Sequence, residues 1–129
     1  AEAASVLAAQ EETGDFFRDF RAQRETARAD EIALLDEIVH REGAPEESVR
    51  EADARRIELT RQTEQERAIE TQLVAKGFED AAAFVQEGTV TIVVKRDRLS
   101  DEDTAQILEI AMRQTEQEAG NVKIIPVAG

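Results

Sequence analysis

The 129-residue sequence has no cysteine, no tryptophan, no tyrosine and only two prolines. Without cysteine, the chain cannot form internal disulfides, thiolate zinc sites or cysteine nucleophiles. Five phenylalanines are its only aromatic residues, so aliphatic side chains must supply most of any core. No segment reaches the roughly 18 consecutive apolar residues of a membrane-spanning helix. The first fourteen residues also lack the basic start and the apolar run of a signal peptide.

Positive charge is scarce as well, because 16 Lys and Arg stand against 29 Asp and Glu, for a net charge of −13. Such a chain repels nucleic-acid phosphates and anionic lipid headgroups, so we expect no nucleic-acid partner. The sequence begins at Ala1, and its only methionine is Met112. We therefore expect a processed or excised piece of a longer protein, with any membrane anchor upstream of Ala1 and missing from this chain.

The order of apolar and turn patterns predicts an α+β fold: an extended N-terminal helix followed by an αββαβ domain, whose three-stranded sheet carries two helices. Residues 1–14 are small and acidic and predict a flexible linker, the N-terminal helix covers 15–42, and the domain covers 45–127. The predicted elements of the domain are a helix to about Lys76, strands Ala81–Gln86 and Thr89–Lys95, a helix from Ser100 to Gly120, and a last strand at 121–127.

The N-terminal helix has its large apolar residues at its two ends, beginning with three phenylalanines after the candidate N-cap Asp15. The middle, RAQRETARADE, offers only alanines, which predicts a solvated stretch and a helix that projects from the domain. Four arginines lie along one flank of this helix: Arg18, Arg21, Arg24 and Arg28. They are typical of a solvated, charge-laced helix, with a docking surface for an acidic neighbour, including another copy, as the alternative.

Local signals define the ends of the later elements. Gly77 suits the left-handed residue after a helix, with Phe78 packing back on Leu73 in a Schellman arrangement. Glu87-Gly88 is a two-residue hairpin turn, and Ser100 with Asp103 forms a variant capping box. These signals predict a hairpin between two helices.

The strand TVTIVVK alternates so that Val90, Ile92 and Val94 form an apolar face and the intervening residues an amphipathic one. Pro126 cannot donate a ladder hydrogen bond, which places the last strand at a sheet edge or ends it there. A right-handed connection makes the second and third strands parallel, either adjacent or separated by the first. The sequence does not choose between these two strand orders.

The sequence contains only weak matches to motifs for metal binding or catalysis. Glu37 and His40 have the spacing of a di-iron ligand pair, but His40 is the only histidine, so a solvated His near a helix end is favoured over a ligand. The acids from Asp101 lack the glycine of a calcium loop and are typical of a first helical turn. The hexamer RQTEQE occurs at 61–66 and 113–118, which we attribute to similar exposed helix surfaces rather than duplication. We predict no catalytic, cofactor-binding or metal-binding residues and no enzyme activity.

Longer segments carry a family resemblance over about residues 16–127. FFRDFRAQRETARADEIALLDEIV, then LTRQTEQERAIETQLVAKGFEDAAAFVQEGTVTIVVKRDRLS, then VKIIPV, in that order and spacing, resemble the soluble part of the stage III sporulation protein AH family. AKGFEDA and the alternating strand after it are the most characteristic pieces. The resemblance implies a ring-building fold, with the N-terminal helix leading to it from the membrane.

The same resemblance implies a structural role. Members are anchored in the mother-cell membrane, with a soluble domain in the intermembrane space around the forespore, where they pair with stage II sporulation protein Q or an equivalent forespore protein in a channel. We accordingly expect a sporulation channel component that pairs with such a partner and can form a homo-oligomeric ring. The alternative is a membrane-tethered adaptor or regulatory domain that acts as a monomer or dimer without a ring.

Overall fold

The computed structural model describes residues 16–128. The expected linker at 1–14 and the candidate N-cap Asp15 lie outside the described residues. Six helices and strands follow one another, with a short 3₁₀ turn at Ala119–Asn121 before the last strand. They are α1 (Phe16–His40), α2 (Glu46–Ala75), β1 (Ala81–Gln86), β2 (Thr89–Lys95), α3 (Asp101–Thr115) and β3 (Val122–Val127). The predicted α+β order is confirmed.

The three strands form one sheet in the order β1-β2-β3. β1 and β2 pair antiparallel, with Ala82 opposite Val93, and β2 and β3 pair parallel, with Ile92 opposite Ile124. The parallel relation follows the handedness rule. Of the two orders left open by the sequence, the structure has the second and third strands adjacent, so β1 and β3 are the two edges.

The main core lies between one face of the sheet and helices α2 and α3. The predicted apolar face of β2, with Val90, Ile92 and Val94, packs there against Ile69 and Ile107. All five side chains are fully buried. Each such aliphatic side chain contributes about 1.5–3 kcal/mol by leaving water.

The opposite face of the sheet is covered by the beginning of α1. Phe16, Phe17 and Phe20 are 2–6% exposed and pack with Val93 and Val127. The prediction that α1 projects from the domain is therefore wrong for its first turns, because its phenylalanines complete the second core layer. The later part of α1 pairs with α2 beyond the sheet, where Leu34 is 62% exposed.

The predicted ends of the central elements are confirmed. Gly77 has φ of +109°, and Phe78 N–H donates to Leu73 O at 3.2 Å, the long bond of a Schellman motif. Ser100 Oγ accepts from Asp103 N–H, and Asp103 Oδ2 accepts from Ser100 N–H, which completes the capping box. The Schellman motif after α2 and the capping box before α3 hold the hairpin between two defined helix ends.

The end of α3 was predicted wrongly. The helix ends at Thr115 rather than at Gly120, because Glu116 adopts the left-handed conformation with φ of 59° and its N–H donates to Met112 O at 2.8 Å. Glycine is the usual residue at such a position, so the sequence pointed five residues too far.

Candidate assembly interface

The two sheet edges are the surfaces through which strands can be added to this fold, and β1 forms the first of them. Lys95 N–H donates to Asp80 O at 2.9 Å, which directs the backbone groups of Asp80 toward β2. Because these groups alternate along a strand, those of Ala81, Ala83 and Val85 point away from the sheet. A strand edge whose outward groups are left unpaired is a template for another strand.

All three outward N–H groups of β1 are bonded to carboxylates. Ala81 N–H donates to Asp80 Oδ1 at 2.8 Å, next to it in sequence. Ala83 N–H donates to Glu70 Oε2 at 2.9 Å, and Val85 N–H donates to Glu66 Oε2 at 2.8 Å. Both glutamates come from α2, one helical turn apart. The carboxylates thus satisfy every donor that a neighbouring strand would need from Ala81, Ala83 and Val85.

The outward carbonyl oxygens of β1 are bonded to arginines of α1. Arg21 donates to Ala81 O, Arg24 donates to Ala83 O at 2.6 Å, and Arg28 reaches Val85 O in a long contact of 3.4 Å. Three or four helical residues advance about 4.5–6 Å, and two strand residues advance about 6.6 Å. Successive arginines of α1 therefore meet successive outward carbonyls of a strand that runs in the same direction.

The same side chains pair with one another between the helices. Glu66 is 1% exposed, and its two oxygens accept from Arg28 at 2.8 and 3.0 Å. Arg24 is 8% exposed and pairs with Glu70 at 2.7 Å. Removing one member of a buried pair costs about 3–5 kcal/mol, because the other charge is left in a poorly solvated place. We name the set Arg21, Arg24, Arg28, Glu66, Glu70 and Asp80 the edge ladder.

The edge ladder contradicts both interpretations for Arg24 and Arg28, whereas Arg18, with a 74% exposed side chain, agrees with the solvated flank. Arg24 and Arg28 are neither a solvated flank nor a free docking surface, since they are bound inside the chain. The middle of α1 is not wholly solvated either, because Arg24 is buried there. Gln62 and Glu66 are also buried, although they lie in TRQTEQER, a segment of α2 made only of polar residues. The sequence feature that could have indicated the edge ladder was the spacing of the arginines along α1 together with the two glutamates one turn apart on α2.

The edge of β3 is different. Val127 O accepts from Arg96 N–H at 2.9 Å, so Val127 faces β2, and by alternation Val122, Ile124 and Pro126 face outward. Val122 N–H donates to Ala119 O in the 3₁₀ turn, and Pro126 has no N–H. Ile124 is therefore the one residue of β3 whose outward N–H is left for another strand. Three outward carbonyl oxygens accompany this single donor, and the predicted edge position of Pro126 is confirmed.

The loop between β2 and α3 lies beside the exit of β2. Arg96 pairs with Asp103 at 2.9 Å, and its guanidinium lies 4.2 Å from the centre of the Phe78 ring. The hydrogen bond from Ser100 N–H lowers the pKa of Asp103, and a hydrogen bond from Arg96 lowers it further. Between the later part of α1 and α2, the hydrogen bond to Glu31 raises the pKa of Arg55. These charged contacts add to the apolar packing of Leu99 against the core and of the buried Leu59 on α2.

The remaining sequence motifs do not converge on a site. Glu37 and His40 are exposed, and His40 Nδ1 lies 2.9 Å from Asp36 O. Within residues 16–128, no group of three or more His, Asp or Glu side chains is placed to hold a metal ion. The acids from Asp101 form the first turn of α3, as predicted. None of the helices in this range combines the length and apolarity needed to cross a bilayer.

The two RQTEQE hexamers have different structural roles. The first lies within α2 and supplies the buried Gln62 and Glu66, whereas the second spans the end of α3 and contains the left-handed Glu116. Similar exposed surfaces do not explain the first copy, because two of its side chains are buried.

Comparison with known proteins relates this fold to a sporulation complex. The family model described as SpoIIIAH-like protein matches residues 1–124. A solved structure, described as the structure of the SpoIIQ-SpoIIIAH pore forming complex, contains a chain of the same fold with a TM-score of 0.81 and 25% sequence identity. The match covers 89% of this chain and 99% of the other. No curated protein matches the sequence.

Proposed function

The chain belongs to the SpoIIIAH-like protein family, and from that membership we propose that it is a structural component of a sporulation channel that pairs with SpoIIQ or an equivalent forespore protein. The matching fold comes from a complex of SpoIIQ with SpoIIIAH, which supports this pairing. In this role the chain supplies a binding surface, and we propose no catalytic activity for it.

The proposed arrangement places the chain in the intermembrane space around the forespore, held to the mother-cell membrane by an anchor upstream of Ala1. Residues 45–127 are the ring-building unit in this proposal, and α1 (Phe16–His40), within the segment predicted at 15–42, is its additional cover. Copies side by side then form a ring, with the forespore partner bound to each copy. Ring formation needs salt or complementary charged contacts between neighbouring copies, because copies of net charge −13 otherwise repel one another.

The location of the pairing site is inferred from one observation, the difference between the two sheet edges. β1 has every outward group bonded by the edge ladder, whereas β3 offers the N–H of Ile124 and three carbonyl oxygens. A partner strand that adds to a sheet is held by main-chain hydrogen bonds of this kind. We therefore assign the forespore partner to the β3 edge, in a register centred on Ile124.

The experiment is co-elution of the 129-residue chain with the extracytoplasmic SpoIIQ domain of the same organism, followed by calorimetry. Ile124→Pro removes the outward donor and leaves the hydrogen bonds to β2 in place. Ile124→Ala is the matched control, because it loses the same side chain and keeps the N–H. We expect Ile124→Pro to weaken binding at least about tenfold more than Ile124→Ala, or about 1.4 kcal/mol.

The outcomes separate the claims. No complex at high micromolar concentrations of both proteins would remove the proposed pairing. Equal binding by the two Ile124 variants would keep the pairing and move it away from the β3 edge. A complex that stays one-to-one, with no higher assembly at any concentration tested, would favour the adaptor function over a ring.

A further inference from the structure

We propose that α1, together with the glutamates of α2, is a built-in plug for the β1 edge that prevents a second copy of this chain from adding its β3 strand there. The plug consists of the edge ladder and the three phenylalanines at the start of α1. This inference depends on the contacts within one chain and not on which forespore protein binds.

The two edges would otherwise fit each other. Without the ladder, β1 presents three donors and three acceptors at Ala81, Ala83 and Val85. β3 presents three acceptors and the single donor of Ile124. A β3 strand laid along β1 could therefore form several main-chain hydrogen bonds.

Such pairing would not end by itself. A β3 edge meeting a β1 edge is a head-to-tail contact, and each added copy would present a new free edge of the same kind. Contacts of this type produce rings when the rotation closes and open fibres when it does not. By filling β1, the plug restricts strand addition to one edge of each copy.

The plug is firmly attached, because it combines two kinds of contact. Buried ion pairs hold the middle of α1 beside the strand, with Glu66 1% and Arg24 8% exposed. Phe16, Phe17 and Phe20 anchor the start of α1 on the sheet face. Lifting α1 away would expose the β1 edge and an apolar sheet face together. Any side-by-side contact between intact copies must accordingly use surfaces other than the β1 edge.

The first test is amide hydrogen exchange on the 129-residue chain at a concentration where it is monomeric. The outward amides of Ala83 and Val85 are expected to exchange at least roughly 100-fold more slowly than that of Ile124, because the ladder bonds their N–H groups and the outward N–H of Ile124 has no acceptor within residues 16–128. Similar rates for all three amides would overturn the proposal. The measurement needs no variant, so it decides even if the variants described next fail to fold.

The second test lifts the plug by charge reversal. Arg24→Glu with Arg28→Glu places four carboxylates against one another beside β1, whereas Arg50→Glu with Arg113→Glu changes the net charge equally in exposed ion pairs. Both are compared by sedimentation at about 0.5 M salt, where repulsion between copies is largely screened. We expect only the first variant to self-associate, with at least tenfold faster exchange at Ala83 and Val85 (about 1.4 kcal/mol).

Adding Ile124→Pro to the reversed variant identifies the strand that fills the exposed edge. If β3 of a second copy is the occupant, this change removes its only outward donor and should return the protein to a monomer. Association that persists with Ile124→Pro would refute β3 as the occupant. A folded Arg24→Glu/Arg28→Glu protein that exposes Ala83 and Val85 to exchange and still remains monomeric would refute the blocking role.

Discussion

Arg24 on α1 and Glu70 on α2 meet at one residue of the sheet, Ala83. Arg24 donates to the carbonyl oxygen of Ala83 at 2.6 Å, Glu70 accepts from its N–H at 2.9 Å, and the two side chains pair at 2.7 Å. An ion pair between two helices therefore supplies the hydrogen bonds that a neighbouring strand would supply. This arrangement makes the stability of the helices and the closure of the β1 edge depend on the same charges.

Glu66→Ala is expected to lower the free energy of unfolding by about 3–5 kcal/mol. The change leaves Arg28 without its two-bond partner and the N–H of Val85 without an acceptor. Urea unfolding followed by circular dichroism measures the loss. Glu64→Ala, an exposed position on the same helix, is the control and should stay within about 0.5 kcal/mol of the wild type. A loss below 1 kcal/mol for Glu66→Ala would contradict the buried pair.

Phe20→Ala is expected to cost about 3–5 kcal/mol, because Phe20 is 4% exposed in the core layer between α1 and the sheet. Leu34→Ala removes a 62% exposed side chain from the same helix and should have little effect. Equal, small losses for both variants would mean that α1 projects freely from the sheet after all. Thermal or urea unfolding of the two proteins decides this.

Gly77→Ala is expected to cost about 1–3 kcal/mol through backbone strain alone. The added methyl group would meet no atom within 4 Å, but φ of +109° disfavours any residue with a side chain. Gly120→Ala also meets nothing within 4 Å and lies outside the positive-φ region, so it serves as the control. Differential scanning calorimetry should show a lower Tm for Gly77→Ala only.

Asp103→Asn is expected to destabilise the protein at neutral pH, with a difference that shrinks in acid. The folded-state pKa of Asp103 is lowered, first by the hydrogen bond from Ser100 N–H. Its carboxylate therefore stabilises the fold above the unfolded pKa of about 3.9, and this contribution is lost as the pH falls through the folded pKa.

The measurement is the Tm of the wild type and of Asp103→Asn from neutral to acidic pH. Glu102→Gln removes an exposed carboxylate from the same helical turn and controls for net charge. A constant difference in Tm between the wild type and Asp103→Asn over the whole range would argue against the lowered pKa.

His40 is expected not to bind Zn²⁺ tightly. The side chain is exposed, and its Nδ1 lies against the carbonyl oxygen of Asp36 at 2.9 Å. Structural zinc sites need about four ligands, and the chain has no second histidine and no cysteine. Calorimetric titration should show no stoichiometric uptake; one equivalent bound by the wild type and lost in His40→Ala would prove this expectation wrong.

Local signals explain why most of the fold could be predicted. Gly77, the Glu87-Gly88 turn and the Ser100 cap each act within a few residues of themselves, so their meaning does not depend on the rest of the chain. The alternation in β2 likewise separates the two sheet faces without further information. Strand order is different, because a parallel crossover is compatible with two neighbours, and packing chooses between them.

The edge ladder could not be predicted by the same reasoning, because it consists of residues that are usually solvated. Arginines and glutamates on helices favour exposed positions, and only the strand beside them makes their burial favourable. Arg28 and Glu66 are separated by 38 residues, and each acquires its role from the other and from Val85. Spacing on each helix was visible in the sequence, whereas the match between helix and strand spacing required the fold.

The apolar cluster that contains Phe16 also contains Val127 of the last strand. A pull on the chain at residue 16 would therefore be transmitted straight into the sheet, through three aromatic rings and a row of ion pairs. The later turns of α1 and the part of α2 that pairs with them, beyond the sheet, would transmit little of this force. If a membrane anchor pulled on that side, mechanical tension would act first on the layer that holds β3, and less of it would reach the far ends of the two helices.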